Sequence, residues 1–237
     1  MRKLIVAALL VISLIPAYAN TPSRKDPHRP PCTSQECRAI QQYLKAHYCG
    51  RSPWGNGEGE SCELRVPKAA TRGFKTLASY HCDPEDTSRS YRCAQRGTVP
   101  AAVVEAMHGQ LTAIGVPAAA QRGIYYSIYQ PSSAPWKLVE ATYLRYKGDI
   151  LTECQVLAVL GTDSVPHVLH KASCTKNDVD KPVFTEWSLL DVADVNVDGR
   201  VEIILEGNAY EDHWLEVIRL REDLTPEIIY SGLGYWL

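Results

Sequence analysis

From Gly123 onward apolar and polar side chains alternate with period two, and short links rich in turn residues separate the runs. That pattern restricts the second half of the chain to antiparallel β structure. It predicts strands at Tyr125–Tyr129, Leu138–Tyr146, Ile150–Leu160, His167–Cys174, Thr185–Ala193, Val201–Asn208, Trp214–Arg221 and Glu227–Ser231. Links such as Lys147-Gly148-Asp149 and Gly161-Thr162-Asp163-Ser164 are too short for a crossover, so sequential neighbours should pair as a meander. The expected form is one antiparallel sheet or open barrel over Arg122–Leu237, with Val201, Ile203 and Leu205 buried and Glu202 and Glu206 on the opposite face.

Upstream the period is helical. Pro100 to Gly115 reads as a helix with Val103, Val104, Met107, Leu111 and Ile114 on one apolar face, packed on the sheet, and Gly115 and Pro117 ending it. Ser34 is placed to cap an earlier helix on which Ile40, Tyr43, Leu44 and His47 or Tyr48 share a face, ending near Gly50. The fold class is therefore α+β: a disulfide-braced N-terminal helix and hairpin, then a helix and a mainly antiparallel β-meander. The segments read as a signal peptide at 1–19, a proline-rich disordered leader at 20–31, a cysteine-rich α/β segment at 32–98, and the helix plus meander at 99–237.

The signal peptide rests on a basic start, Met1-Arg2-Lys3, an apolar run from Leu4 to Ile15, and small residues at Ala17 and Ala19. It places the mature chain outside the cytoplasm, secreted or periplasmic. No later run approaches the roughly 20 apolar residues of a membrane-spanning helix. Without Arg2 and Lys3 the chain holds 23 basic against 27 acidic residues and no basic run, which argues against nucleic acid as a ligand.

Cysteine usage agrees with export. Cys32, Cys37, Cys49, Cys62, Cys82, Cys93, Cys154 and Cys174 all follow the signal peptide, and no C-x-x-C pair points to a metal or a redox motif. Cys82 and Cys93 face each other across a hairpin formed by Gly73–Cys82 and Ser90–Cys93. Cys154 and Cys174 are equidistant from the Ser164 turn and should bridge. Cys37 and Cys49 stand at opposite ends of a helix about 18 Å long and cannot pair. Cys49–Cys62 would close the glycine-rich loop around Trp54, an indole that would stack on a sugar or plug the small core; the pairing of Cys32, Cys37, Cys49 and Cys62 stays open.

The densest run of oxygen side chains is Asp194-Val195-Asn196-Val197-Asp198-Gly199-Arg200-Val201-Glu202, at the tip of a hairpin between two strands. Asp194, Asn196, Asp198 and Glu202 supply side-chain oxygens, the Arg200 carbonyl can join them, and Gly199 sits where the chain curls back. A hard cation such as Ca2+ takes six to eight oxygens of this kind. The same residues also read as a solvated, metal-free turn. The run from Leu190 to Leu205 resembles one FG-GAP or VCBS-type repeat, the calcium-loop hairpin of extracellular β-propellers. The resemblance implies side-chain ligands at the first, third, fifth and ninth loop positions, Asp194, Asn196, Asp198 and Glu202, and a carbonyl ligand at the seventh, Arg200. Val197 stands where that family usually has glycine.

A second polar cluster follows: Glu206, Tyr210, Glu211, Asp212, His213 and Trp214. If Glu211-Asp212 forms a hairpin tip, Tyr210 and His213 face each other, and the carboxylates with His213 could do general acid–base work. The plainer reading is a hydrated turn framed by aromatic residues. His167 and His170, three apart in a strand, should point to opposite faces. No G-x-S-x-G elbow and no H-E-x-x-H helix occurs. The sequence favours a non-enzymatic exported binding or interaction module with Ca2+ as a structural cofactor and an extracytoplasmic protein or carbohydrate as partner. The alternative is a secreted carboxylate-dependent hydrolase, acting on sugars, built on the 206–213 cluster.

Overall fold

Ser34 does cap the first helix: its hydroxyl accepts from the Cys37 amide at 3.0 Å, opening α1 (Gln35–Tyr48). A computed structural model of the chain describes residues 34–50, 63–65, 68, 72–84, 91–120, 122–147, 150–178, 186–209 and 212–235. Ile40, Leu44 and Tyr48, spaced by four, form the buried row of α1. A short pair, β1 (Cys49–Gly50) with β2 (Glu63–Leu64), follows. Next come the hairpin β3 (Phe74–Pro84) and β4 (Tyr91–Arg96), then α2 (Ala101–Ala113). Val103, Met107 and Leu111 are the buried row of α2, whereas Val104, expected beside them, is exposed.

The remaining strands are β5 (Ile124–Pro131), β6 (Lys137–Lys147), β7 (Ile150–Leu160), β8 (Pro166–Asp178), β9 (Glu186–Ala193), β10 (Glu202–Ala209), β11 (Asp212–Leu220) and β12 (Pro226–Tyr235). They lie close to the runs read from period two, but not in one sheet. β5 to β8 belong to a six-stranded antiparallel sheet of order β4-β3-β5-β6-β7-β8, and β9 to β12 form a separate four-stranded antiparallel sheet of order β12-β11-β10-β9. Both are open, and the expectation of one sheet or an open barrel over Arg122–Leu237 is corrected accordingly. The reason is visible in β7, whose Val156-Leu157-Ala158-Val159-Leu160 needs cover on both faces. Cys154, Val156, Ala158 and Leu160 pack under α2 with Tyr126, Ile128, Val139 and Ala141. Leu157 and Val159 point the other way and pack, with Leu138 and Phe74, against Leu189, Val192, Ile203, Leu205 and Ile218 of the second sheet.

α1 covers the far face of the four-stranded sheet. Its Tyr48 hydroxyl donates to Asp191 of β9 at 2.9 Å, and its Glu36 meets Arg219 of β11 at 2.6 Å. The order of layers is thus α2, six-stranded sheet, four-stranded sheet, α1. This cover overturns the expectation that β10 would be acidic and open on one side: Ile203, Ile204 and Leu205 are all buried, and Glu202 is 0% exposed. Glu206 is half-buried.

Two bulges in β8 shift the phase of that strand. The register pairs Leu160 with Pro166, but Leu157 with His170 and Glu153 with Thr175. The extra residues bring Cys174 abreast of Cys154, and the two form a disulfide with 4.2 Å between Cα atoms. They also put His167 and His170 opposite Val159 and Leu157, which share a face, so the expected opposition of the two histidines is corrected. Cys82–Cys93 closes the β3–β4 hairpin at a directly paired position. Cys37 and Cys49 are each disulfide-bonded, but not shown bonded to one another, and Cys32 and Cys62 lie outside the described residues.

Cys154–Cys174 spans 20 residues and buries Cys154 in the core beneath α2. In the chain-entropy account such a closure contributes about 3 kcal/mol. Replacing both cysteines by alanine should lower the unfolding free energy by about that amount in a urea titration.

Candidate functional site

The hairpin tip between β9 and β10 folds on its own side chains. Asp194 accepts from the amides of Asp198 (3.0 Å) and Gly199 (2.9 Å), and Asp198 accepts from the amide of Arg200 (2.9 Å). Asn196 donates to Asp198 at 3.0 Å and to Glu36 at 3.3 Å. Gly199 takes φ +83°, as its curl requires, but Val197 also takes a left-handed φ of +62° while 86% exposed. A β-branched residue is costly there, and glycine is not.

Glu202 stands apart from the other loop acids. One carboxylate oxygen accepts from the Val195 amide at 3.1 Å and the other from Nε of Arg219 at 3.3 Å. Arg219 also reaches Glu36 at 2.6 Å and lies 3.7 Å from Asp198. A guanidinium from β11 thus supplies positive charge where the loop acids crowd. The Arg219 hydrogen bond holds the Glu36 carboxyl below its ordinary range. The Arg200 amide does the same for Asp198, and burial pushes Glu202 up against the pull of Val195 and Arg219. The oxygen-only donors at Asp194, Asn196, Asp198 and the Arg200 carbonyl suit a hard cation. Glu202 is the ligand that a cation would share with Arg219.

At the other end of the β10–β11 hairpin, Tyr210 and Glu211 lie outside the described residues. The register pairs Ala209 with Asp212 and Asn208 with His213, so His213 faces Asn208 rather than Tyr210. Nδ1 of His213 donates to the Asn208 side-chain oxygen and lies 3.9 Å from Glu206, both groups being mostly buried. Ser188 donates to Glu206 at 3.4 Å. Trp214 lies flat over Gly207, where an added Cβ would come within 2.4 Å of the indole, so that glycine makes the room.

Trp214 meets Trp187 edge-on at 5.3 Å, and Trp187 stacks on His170 of β8 at 3.8 Å, joining the two sheets. Nε2 of His170 donates to Glu216 of β11 at 2.6 Å. The backbone of Trp187 is pinned as well. Its N–H donates to the Gln155 amide oxygen and its carbonyl accepts from the Gln155 amide nitrogen, both at 2.9 Å. Gln155 lies on the face of β7 that turns toward the second sheet, so the residue before Trp187, Glu186, is set beside that face.

There the apolar interior between the sheets gives way to a polar seam which the sequence reading did not find. Glu140 of β6 is buried and accepts from Tyr80 (3.1 Å), Thr142 (3.2 Å) and Gln155 (3.1 Å), with Ser127 as a further donor. Glu153, two residues before Gln155 on the same face of β7, is 7% exposed. Burial and the charges of Glu186 and Glu140 raise it from an ordinary 4.5 to about 8. Burial raises Glu186 as well, helped by the charges of Glu140 and Glu206, and raises Glu140 against the pull of its donors. Among the described residues, neither Glu153 nor Glu186 has a hydrogen-bond donor or a cation beside it.

The signal for this seam lay in single acids on strands that otherwise read as buried: Glu140 within Leu138-Val139-Glu140-Ala141, and Glu153 just ahead of a run of core residues. Glutamate at such positions is rare unless paired. Among the described residues no helix is long and apolar enough to cross a membrane. No family model, no curated protein and no solved structure matches the chain.

Proposed function

We propose that the chain is an exported binding module whose ligand is a small polar molecule held in the seam between the two sheets. The observation that carries this reading is Glu153, a buried carboxyl with no protein partner among the described residues, set beside Glu140 and Glu186. A buried polar group without a partner is costly, and so is bringing like charges together. A fold that keeps both at one place supports a role that a ligand completes. The site is also stiff, since Gln155 fixes the backbone of Trp187 and the His170–Trp187–Trp214 stack fixes its ring. Disulfides and the signal-like start support export.

Equilibrium dialysis against a mixture of small polar metabolites, read by mass spectrometry, tests the reading. Native protein should retain a compound that Glu186→Gln and Glu153→Gln release, with Asp163→Ala, in a remote turn, as the retaining control. Retention of nothing, or equal retention by all variants, contradicts it.

A hydrolase reading placed at Glu153, not at the 206–213 cluster where the sequence put it, has one observation in its favour: a carboxyl that holds its proton to about 8 is in the form a general acid needs at neutral pH. Turnover of a chromogenic glycoside, abolished in Glu153→Gln, would favour it over simple binding.

We also propose that Ca2+ braces the β9–β10 tip through Asp194, Asn196, Asp198, Glu202 and the Arg200 carbonyl, sharing Glu202 with Arg219. Because Arg219 already supplies charge there, calcium should raise the melting temperature of the native chain by only a few degrees, corresponding to about 1.4 kcal/mol at ten times the dissociation constant. The rise should be larger in Arg219→Gln and absent in Asp198→Ala. Identical melting of native chain and Arg219→Gln in chelator and in millimolar calcium would show that the loop is only a turn.

A further inference from the structure

Resting on the binding reading above, we infer that the seam recognises an organic cation carrying N–H donors, an alkylammonium or guanidinium group, seated among Glu153, Glu186 and Glu140. Three carboxyls gather there from β7, β9 and β6, and no lysine or arginine of the described residues acts on Glu153 or Glu186. Glu140 already accepts from Tyr80, Thr142, Gln155 and Ser127. Glu153 and Glu186 accept from nothing described, so they are the acceptors left to serve a ligand. Glu153 is more than nine-tenths buried. Yet no fully buried side-chain oxygen among the described residues lacks a hydrogen-bond partner, so the partnerless Glu153 carboxyl must still touch solvent, and a ligand can reach it.

The type of cation follows from the spacing of the acids. A divalent metal needs oxygens drawn within about 2.3–2.6 Å of one point. The three seam acids do not converge in that way, and Asp194, Asp198 and Glu202 of the loop would do so only when a cation drew them together. An ammonium or guanidinium instead sends separate N–H bonds of about 2.7–2.9 Å to carboxylates that stand farther apart. A charged donor also answers what Glu153 lacks, because it removes the repulsion from Glu186 and Glu140 and satisfies the desolvated oxygens together. The clamp on Trp187 holds Glu186 in position before the ligand arrives.

Isothermal titration of the full chain at neutral pH tests this with four probes: butylammonium, methylguanidinium, a trilysine peptide, and tetramethylammonium as a cation without N–H donors. At least one of the first three should bind. Its affinity should fall about tenfold or more in both Glu153→Gln and Glu186→Gln. Tetramethylammonium should give no heat. Binding should also release close to one proton at neutral pH, seen as heats that vary with the buffer's ionisation enthalpy, because Glu153 must ionise to pair with the cation. Binding of trilysine alone would place the cation on a protein partner; binding of the small cations would place it on a free ligand. If none of the three binds at roughly 10 mM, or if binding ignores Glu153, the inference is wrong. Should the dialysis above still retain a neutral compound through Glu186, the binding reading stands and only the cation falls.

Discussion

Replacing Asp191 by alanine is expected to destabilise the chain by about 3–5 kcal/mol. Asp191 is buried and accepts from three donors: the Tyr48 hydroxyl at 2.9 Å, the Gly73 amide at 2.7 Å and the Val192 amide at 2.7 Å. These come from α1, from the approach to β3 and from β9, so one carboxylate ties three parts of the fold that are far apart in sequence. Alanine would leave all three donors inside without acceptors, and each such loss costs about 1–3 kcal/mol. Water cannot easily enter, because Gly73 packs so closely that an added Cβ would sit 1.8 Å from the Val192 carbonyl oxygen. Urea unfolding followed by circular dichroism should show the midpoint falling with little change in slope. Asp191→Asn should cost less, since the amide keeps one acceptor oxygen. A loss below about 1 kcal/mol for the alanine variant would show that the three donors find other partners.

Glu153→Gln should do the opposite, stabilising the chain in a pH-dependent way. The folded carboxyl keeps its proton up to about 8, whereas in the unfolded chain it ionises near 4.5. Between those values the native state binds more protons than the unfolded state, so stability falls as pH rises. The favourable term is fully present below the unfolded value and is lost as pH climbs to the folded one. Across the whole window the slope of about 1.4 kcal/mol per pH unit sums to at most ~5 kcal/mol, and screening through the seam reduces it. Glu186 and Glu140 shift in the same direction and add to the trend. Glutamine, neutral at every pH, removes the Glu153 share. The variant should match the native chain near pH 5 and exceed it by several kcal/mol near pH 8. Parallel pH profiles for the two proteins would mean that Glu153 ionises freely in the folded state.

These two acids show where the sequence could be read and where it could not. Period two placed the strands of Arg122–Leu237 within a few residues, and the spacing of Val103, Met107 and Leu111 placed the face of α2. Local chemistry sufficed there, because alternation and helix caps act within a few residues. Which strands share a sheet is a long-range matter. The clue was composition on both faces: the unbroken Val156–Leu160 and Ile203-Ile204-Leu205 runs need cover on two sides, which one sheet with one helix cannot give. The bridge at Cys154 and Cys174 was found by symmetry about Ser164, although the β8 bulges are what bring Cys174 into line. No local rule foretells a bulge. Nothing local marks Asp191 as a buried tie, since its partners Tyr48 and Gly73 lie 143 and 118 residues away. The seam stayed hidden for a similar reason: Glu140, Glu153 and Glu186 sit on three strands, and their likeness to one another appears only when two sheets close over them.

The most direct test of the seam as an uncompensated, ligand-ready cluster is a carboxyl-carbon NMR titration of the glutamates in the folded chain. One resonance should titrate near 8 and vanish in Glu153→Gln, and in Glu186→Gln the Glu153 resonance should move toward lower pH as its neighbour's charge is removed. If every glutamate carboxyl of the folded protein titrates below about 5.5, the normal range for solvated or well-partnered groups, Glu153 is neither desolvated nor crowded by charge, and the site proposed at the seam does not exist.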